Sequence, residues 1–156
     1  MEKLFPLLEE TSGVCTDTRN ISQNCLFIAL KGDNCNGNEF ADQAINRGAK
    51  YAIVDELDKA NDSTIFYVNN GLRFLQKLAN YHRHKFDIPV VGITGSNGKT
   101  STKELIHTIL SKQFNVLYTI GNLNNHIGVP LTLLRLNNEH DIAIIEMGAN
   151  QPNDIE

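Results

Sequence analysis

The sequence predicts an α/β fold in two parts, and three observations carry the prediction. Short apolar runs alternate with helical stripes through residues 1–86. A strand-like run at 89–93 passes through a glycine turn into a helical pattern. A nearly continuous apolar run at 141–146 ends in an acid, as expected of a strand covered on both faces in a parallel sheet.

In the first part, residues 1–86, Leu26-Phe27-Ile28-Ala29-Leu30 reads as a buried strand. Residues 34–38 make a polar loop around Gly37. Phe40, Ala44 and Ile45 fall at helical spacing, and Gly48 is placed to end that helix. Tyr51-Ala52-Ile53-Val54 and Thr64-Ile65-Phe66-Tyr67-Val68 read as two further strands. Leu72, Leu75, Leu78, Ala79 and His82 form the next helical stripe. The run His82-Arg83-His84-Lys85 falls in its last turn, where cations complement the helix dipole, and predicts a solvated helix end. Together these elements predict a small N-terminal α/β domain.

The second part, residues 87–156, begins where Pro89 biases Ile88 towards an extended backbone and so into a strand. Leu105, Ile106, Ile109, Leu110 and Phe114 predict a helix packed on a sheet. Asn115-Val116-Leu117-Tyr118-Thr119 reads as the next strand, and 121–130 as a polar, glycine-rich loop. Leu131, Leu133, Leu134 and Leu136 predict a short helix before the 141–146 strand.

Bulk composition narrows the function classes. Hydrophobic residues make up 41% and charged residues 21% of 156, which predicts a globular chain. The net charge of −4 comes without a block of like charge, which argues against a nucleic-acid or membrane-surface partner. No apolar run reaches the length of a membrane span and the N-terminus lacks the pattern of a signal peptide, so the expected location is cytoplasmic. Cys15, Cys25 and Cys35 show neither C-x-x-C spacing nor a nearby histidine, and are expected as reduced structural thiols.

The chemistry concentrates at Gly95-Ser96-Asn97-Gly98-Lys99-Thr100-Ser101. A strand, a glycine turn and a helix in that order make an anion site from backbone N–H groups and the helix N-terminus. Lys99 is placed to reach β- and γ-phosphates, and the Thr100 hydroxyl to reach Mg²⁺, which makes ATP the expected nucleotide. The usual pattern has glycine five positions before Gly98, where this chain has Ile93; Gly95 stands three before instead. Glu146 lies at the carboxyl end of a predicted buried strand, opposite Thr100, and reads either as a Mg²⁺ carboxylate or as an ordinary strand-end acid. The 121–130 loop holds three asparagines, which by residue type read equally as phosphate contacts or as turn chemistry. His126 invites a general-base role, but nothing nearby in the sequence orients it.

These motifs resemble the N-terminal part of a Mur ligase, and within that family the MurF branch. The resemblance rests on Thr16-Asp17-Thr18-Arg19, the run 26–32, Gly48-Ala49, the run 93–104, the run 121–134 and Glu146-Met147-Gly148-Ala149. The asparagine loop and the Glu-Met-Gly-Ala run favour MurF over MurE. The resemblance implies a substrate domain for UDP-N-acetylmuramoyl-tripeptide, followed by the first part of a P-loop parallel-sheet ATPase domain. It implies an ATP-dependent ligase that phosphorylates the tripeptide's terminal carboxylate and passes the acyl group to the amine of D-Ala-D-Ala. Such a reaction depends chiefly on positioning and charge neutralisation.

Carried onto this chain, the resemblance makes Gly95 to Ser101 the ATP loop, with Lys99 on the phosphates and Thr100 and Glu146 on Mg²⁺. It makes Asn125 the loop asparagine that faces the phosphates, and Thr18 and Arg19 the contacts to the UDP moiety. Asn36-Gly37-Asn38 stands where the family shows Asp-Gly-His, so no substrate contact is expected there. The family continues well beyond residue 156, so a truncated and inactive ligase is expected, with possible self-association through uncovered sheet surface. A P-loop kinase or simple NTPase, and a non-catalytic UDP-sugar or nucleotide-binding module, are the competing classes.

Overall fold

The structure is a computed structural model and describes residues 2–32, 35–61 and 63–148. It divides into two compact units, Met1–Leu78 and Ala79–Glu156, each built on its own parallel sheet. The division falls inside a helix, whereas the sequence suggests a junction at 86/87.

The first unit holds a four-stranded sheet in the order β1-β2-β5-β6: β1 (Val14–Cys15), β2 (Leu26–Ile28), β5 (Tyr51–Val54) and β6 (Ile65–Tyr67). All three pairings are parallel, with Phe27 opposite Ala52 and Ile53 opposite Phe66. Every residue of β2 is buried, which fits its continuous apolar run. Phe27 and Ala29 share a core with Ala52 and Val54 of β5 and with Ala41 and Ala44 of α1 (Ala41–Asn46). Alternation along the strands turns Leu26, Ile28 and Ile53 to the opposite face, where they too are fully buried. An N-terminal 3₁₀ helix, Glu2–Glu10, adds Phe5, whose ring lies 5.7 Å from that of Phe74 on α2 (Gly71–Arg83).

Of the expected loop at 34–38, residue 34 lies outside the described residues, and 35–38 take part in regular structure. A two-stranded antiparallel ribbon of β3 (Lys31–Gly32) and β4 (Cys35–Asn36) leads into a 3₁₀ turn, Gly37–Phe40. Gly37 is required there by close approach, since a Cβ would lie 2.5 Å from the Leu30 carbonyl oxygen.

The second unit holds a three-stranded parallel sheet in the order β7-β9-β8: β7 (Val90–Ile93), β8 (Val116–Tyr118) and β9 (Ile142–Glu146). β9 is central, and Ala143, Ile144 and Ile145 are buried on both faces. Ala143 and Ile145 pack with Leu117 and Leu136, and with Val129 and Leu133 of α4 (Gly128–Leu133). The opposite, α3-bearing face takes Glu146; α3 (Lys99–Leu110) lies against β7, β8 and β9.

Three expectations are corrected here. The short helix begins at Gly128, three residues before the leucine stripe, because Pro130 suits a first helical turn and its missing N–H costs nothing there. The sheet-facing side of α3 includes Lys103, while Leu105, Ile109 and Phe114 are exposed among the described residues. The basic end of α2 is solvated only in part: His84 and Lys85 are exposed, whereas His82 and Arg83 are half-buried and bonded to backbone carbonyls. The Arg83 guanidinium donates to the carbonyls of Phe86 (2.6 Å) and Ile88 (2.9 Å), and His82 Nε2 lies 2.9 Å from the Leu136 carbonyl.

Candidate functional site

The glycine turn between β7 and α3 uses glycine where glycine is needed. Gly95 and Gly98 have φ of 144° and 78°, and Gly98 is the residue directly before α3. The helix therefore opens on Lys99 and Thr100, with its N-terminal N–H groups at the turn. The Lys99 ammonium donates to the Gly95 carbonyl at 2.5 Å, so its charge lies over the loop.

Glu146 completes the arrangement. Its N–H donates to Thr119 Oγ1 at 2.9 Å, which fixes the end of β9 against the residue after β8. Its Oε1 accepts from Thr100 Oγ1 at 3.2 Å and from Asn124 Nδ2 at 2.8 Å. Its Oε2 lies 3.6 Å from the Lys103 ammonium, and both side chains are almost wholly excluded from solvent, 0% and 1% exposed. Lys103 also donates to the Gly121 carbonyl at 3.3 Å and pairs with Glu104 at 3.1 Å. One lysine thus ties α3 to the start of the asparagine loop and to the buried carboxylate. The loop is held from the other side by Gly148, whose N–H donates to the Asn124 carbonyl at 2.7 Å.

Two of these residues escape a motif reading. Lys103 sits one helical turn after Lys99 and so falls on the same side of α3, a spacing that alone could have flagged it. Asn124 carries no signal that separates it from its neighbours. Asn125, the asparagine expected on the phosphates, accepts through Oδ1 from the N–H groups of Ile127 (3.1 Å) and Gly128 (2.8 Å). It caps the turn into α4. Ala149 of the Glu-Met-Gly-Ala run, and the run 151–156, lie outside the described residues.

The donor set fits Mg²⁺. Glu146 Oε2 is buried and has no hydrogen-bond partner among the described residues, and the Thr100 hydroxyl stands beside the same carboxylate. Among the described residues no three His, Cys, Asp or Glu cluster as a metal cage. A cation here would draw its remaining ligands from phosphate and water, as Mg²⁺ commonly does.

The first unit carries a cleft of about 570 Å³, lined by Thr16, Asp17, Thr18, Arg19, Phe27, Leu30, Cys35, Gly37, Phe40, Gln43 and Arg47. Both residues expected on the UDP moiety, Thr18 and Arg19, are in its wall. Asp17 accepts from the Arg19 backbone N–H at 2.9 Å and from its guanidinium at 2.6–3.0 Å. Those hydrogen bonds hold the Asp17 carboxyl down at about 2 and push the arginine further up. Asn38 is buried in a structural network instead, donating to Asp55 at 2.8 Å and accepting from the Asp55 N–H at 2.8 Å. The three cysteines are free thiols.

The model described as Mur ligase family, catalytic domain, matches residues 10–83, and that of the Mur ligase middle domain matches residues 93–156. The chain belongs to the Mur ligase family. Among Mur ligases it is 40% identical over 155 residues to the UDP-N-acetylmuramoyl-tripeptide–D-alanyl-D-alanine ligase of Bacillus subtilis (strain 168), covering 97% of this chain and 34% of that protein. To the ligase of the same name from Escherichia coli (strain K12) it is 46% identical over 142 residues, 91% of this chain and 31% of that one. The crystal structure of MurF ligase from Thermotoga maritima in complex with ADP superposes with a TM-score of 0.84 at 34% identity, over 96% of this chain and 34% of that one. MurF from Acinetobacter baumannii gives 0.83 at 34% identity, over 95% and 36%. The chain therefore spans about a third of the length of the Mur ligases it matches.

Proposed function

We propose that this chain forms the substrate- and nucleotide-binding portion of an ATP-dependent carboxylate–amine ligase. The ligase joins D-Ala-D-Ala to UDP-N-acetylmuramoyl-tripeptide in the synthesis of peptidoglycan precursors, in the cytoplasm. The observation that carries the reading is the junction of the glycine turn, Lys99 and Thr100 with a buried strand-end carboxylate. The names of the relatives and the ADP complex of a structural neighbour support it. Among the described residues no helix is long and apolar enough to cross a membrane.

In this reading the N–H groups at the start of α3 and the Lys99 ammonium bind and orient the nucleotide phosphates. Thr100 and Glu146 would hold Mg²⁺, which when bound neutralises phosphate charge. Lys103 and Asn124 keep the Glu146 carboxylate in place. The chemistry is two displacements on the substrates. A carboxylate oxygen of the tripeptide attacks the γ-phosphorus and ADP leaves; the dipeptide's amine then attacks the acyl carbon and phosphate leaves. This chain's part is to hold the donor end of that sequence aligned.

Titration of the chain with Mg·ADP and with UDP-N-acetylmuramoyl-tripeptide tests the proposal. Binding of both is expected, with Lys99→Ala weakening ADP by about tenfold or more. Binding of the UDP ligand without ADP would support a non-catalytic module instead, and binding of neither would refute the reading.

A further inference from the structure

The cleft of the first unit holds two guanidiniums that differ in their partners. Arg19 is closed onto Asp17 through its backbone N–H and one edge of its guanidinium, Nε and Nη2, so its charge is partly offset. Arg47 has no carboxylate partner among the described residues. One of its nitrogens donates to the Thr18 carbonyl at 2.8 Å, a neutral acceptor, and this holds the guanidinium in the cleft wall. Most of its five N–H donors remain for a ligand.

The position of Arg47 is built by the end of α1. Its N–H bonds back to Gln43 and Ala44, and Gly48 follows with φ of 110°. That positive φ calls for glycine and ends the helix, and Arg47 reaches the Asp17–Arg19 turn through the Thr18 carbonyl. The lining of the same cleft also includes the apolar Phe27, Leu30 and Phe40.

We propose that Arg47 is the specificity-determining cation of this cleft and contacts the diphosphate of a UDP-linked ligand, while Arg19 serves to fix the turn that carries Thr18. The inference rests on the reading of the cleft as the UDP site. Arg47 answers a multiply charged diphosphate with forked donors and no adjacent carboxylate among the described residues, whereas Arg19 would bring the like-charged Asp17 carboxylate with it. The apolar lining residues are left for the uracil ring.

Calorimetric titration of the full chain with uridine, UMP and UDP tests this. The native chain is expected to prefer UDP to uridine. Arg47→Gln is expected to weaken UDP by about tenfold while uridine stays within about twofold. Arg47→Lys, which keeps the charge but loses the fork, is expected to keep part of the UDP preference and to lose it as salt rises. Arg19→Gln is expected to change uridine and UDP by the same factor. Equal losses of uridine and UDP in Arg47→Gln, with Arg47→Lys no better, would reduce Arg47 to a structural residue and overturn the proposal. So would a UDP preference abolished by Arg19→Gln and untouched by Arg47→Gln. A native chain that binds neither uridine nor UDP would instead refute the reading of the cleft, and the assignment with it.

Discussion

Glu146 and Lys103 form a pair whose consequences are felt at the residue scale. Both are out of water, and their separation of 3.6 Å is an ion pair without a short hydrogen bond. Such a pair contributes little net stability, but removing one member leaves a buried charge without its counter-ion. Lys103→Met is therefore expected to destabilise the second unit by about 3–5 kcal/mol, with most of the loss recovered in the Lys103→Met, Glu146→Leu double variant. Urea unfolding of the three chains checks this; a single variant as stable as the native chain would show that the pair is not coupled. Asp17 offers a pH test. Its carboxyl lies at about 2, below its ordinary 3.8, because Arg19 holds the charged form. Its contribution is therefore complete above about pH 4 and fades as pH falls through about 2. Carboxyl NMR should find the Asp17 midpoint near 2, and Arg19→Gln should return it towards 3.8. Lys99, Thr100 and Glu146 were legible as candidates because glycine turns and strand-end acids leave local patterns. Lys103 and Asn124 were not, since their meaning depends on which carboxylate the fold brings to them.

At the scale of the element, the two adjacent asparagines separate cleanly. Asn125 caps the turn into α4 with two accepted hydrogen bonds, and Asn124 reaches across to Glu146. Asn125→Ala is expected to cost about 0.5–2 kcal/mol of stability, as loss of a cap does, with Mg·ADP affinity little changed. Asn124→Ala is expected to do the reverse, and paired denaturation and nucleotide titrations distinguish them. A larger affinity loss in Asn125→Ala would restore that residue to the phosphates. The strands at 51–54 and 142–146 were readable from apolar runs, and α2 from its stripe. The face of α3 was misread for a physical reason. Leu105 and Ile109 are spaced as a packing stripe, yet the side towards β9 must meet Glu146, and a lysine serves there better than a leucine.

On the scale of the whole molecule, each unit closes its own core: Phe27, Ala52 and their neighbours in the first, Leu117, Ala143 and Ile145 in the second. Separate cores predict separate unfolding, so a single two-state transition is not expected. Hydrogen exchange across a urea series should show β2 and β5 opening as one set and β9 as another. One common opening energy for both sets would contradict this. The sequence by itself determined the periodicities, the glycine turn and the family, because these are properties of neighbours along the chain. Only the tertiary structure decided which Asn faces Glu146, that Lys103 is buried beside it, and that among the described residues Arg47 rather than Arg19 is left without a carboxylate. Those facts join Glu146 to Asn124 and Lys103, 22 and 43 positions away, and Arg47 to Thr18, 29 positions away, and only folding sets such distances.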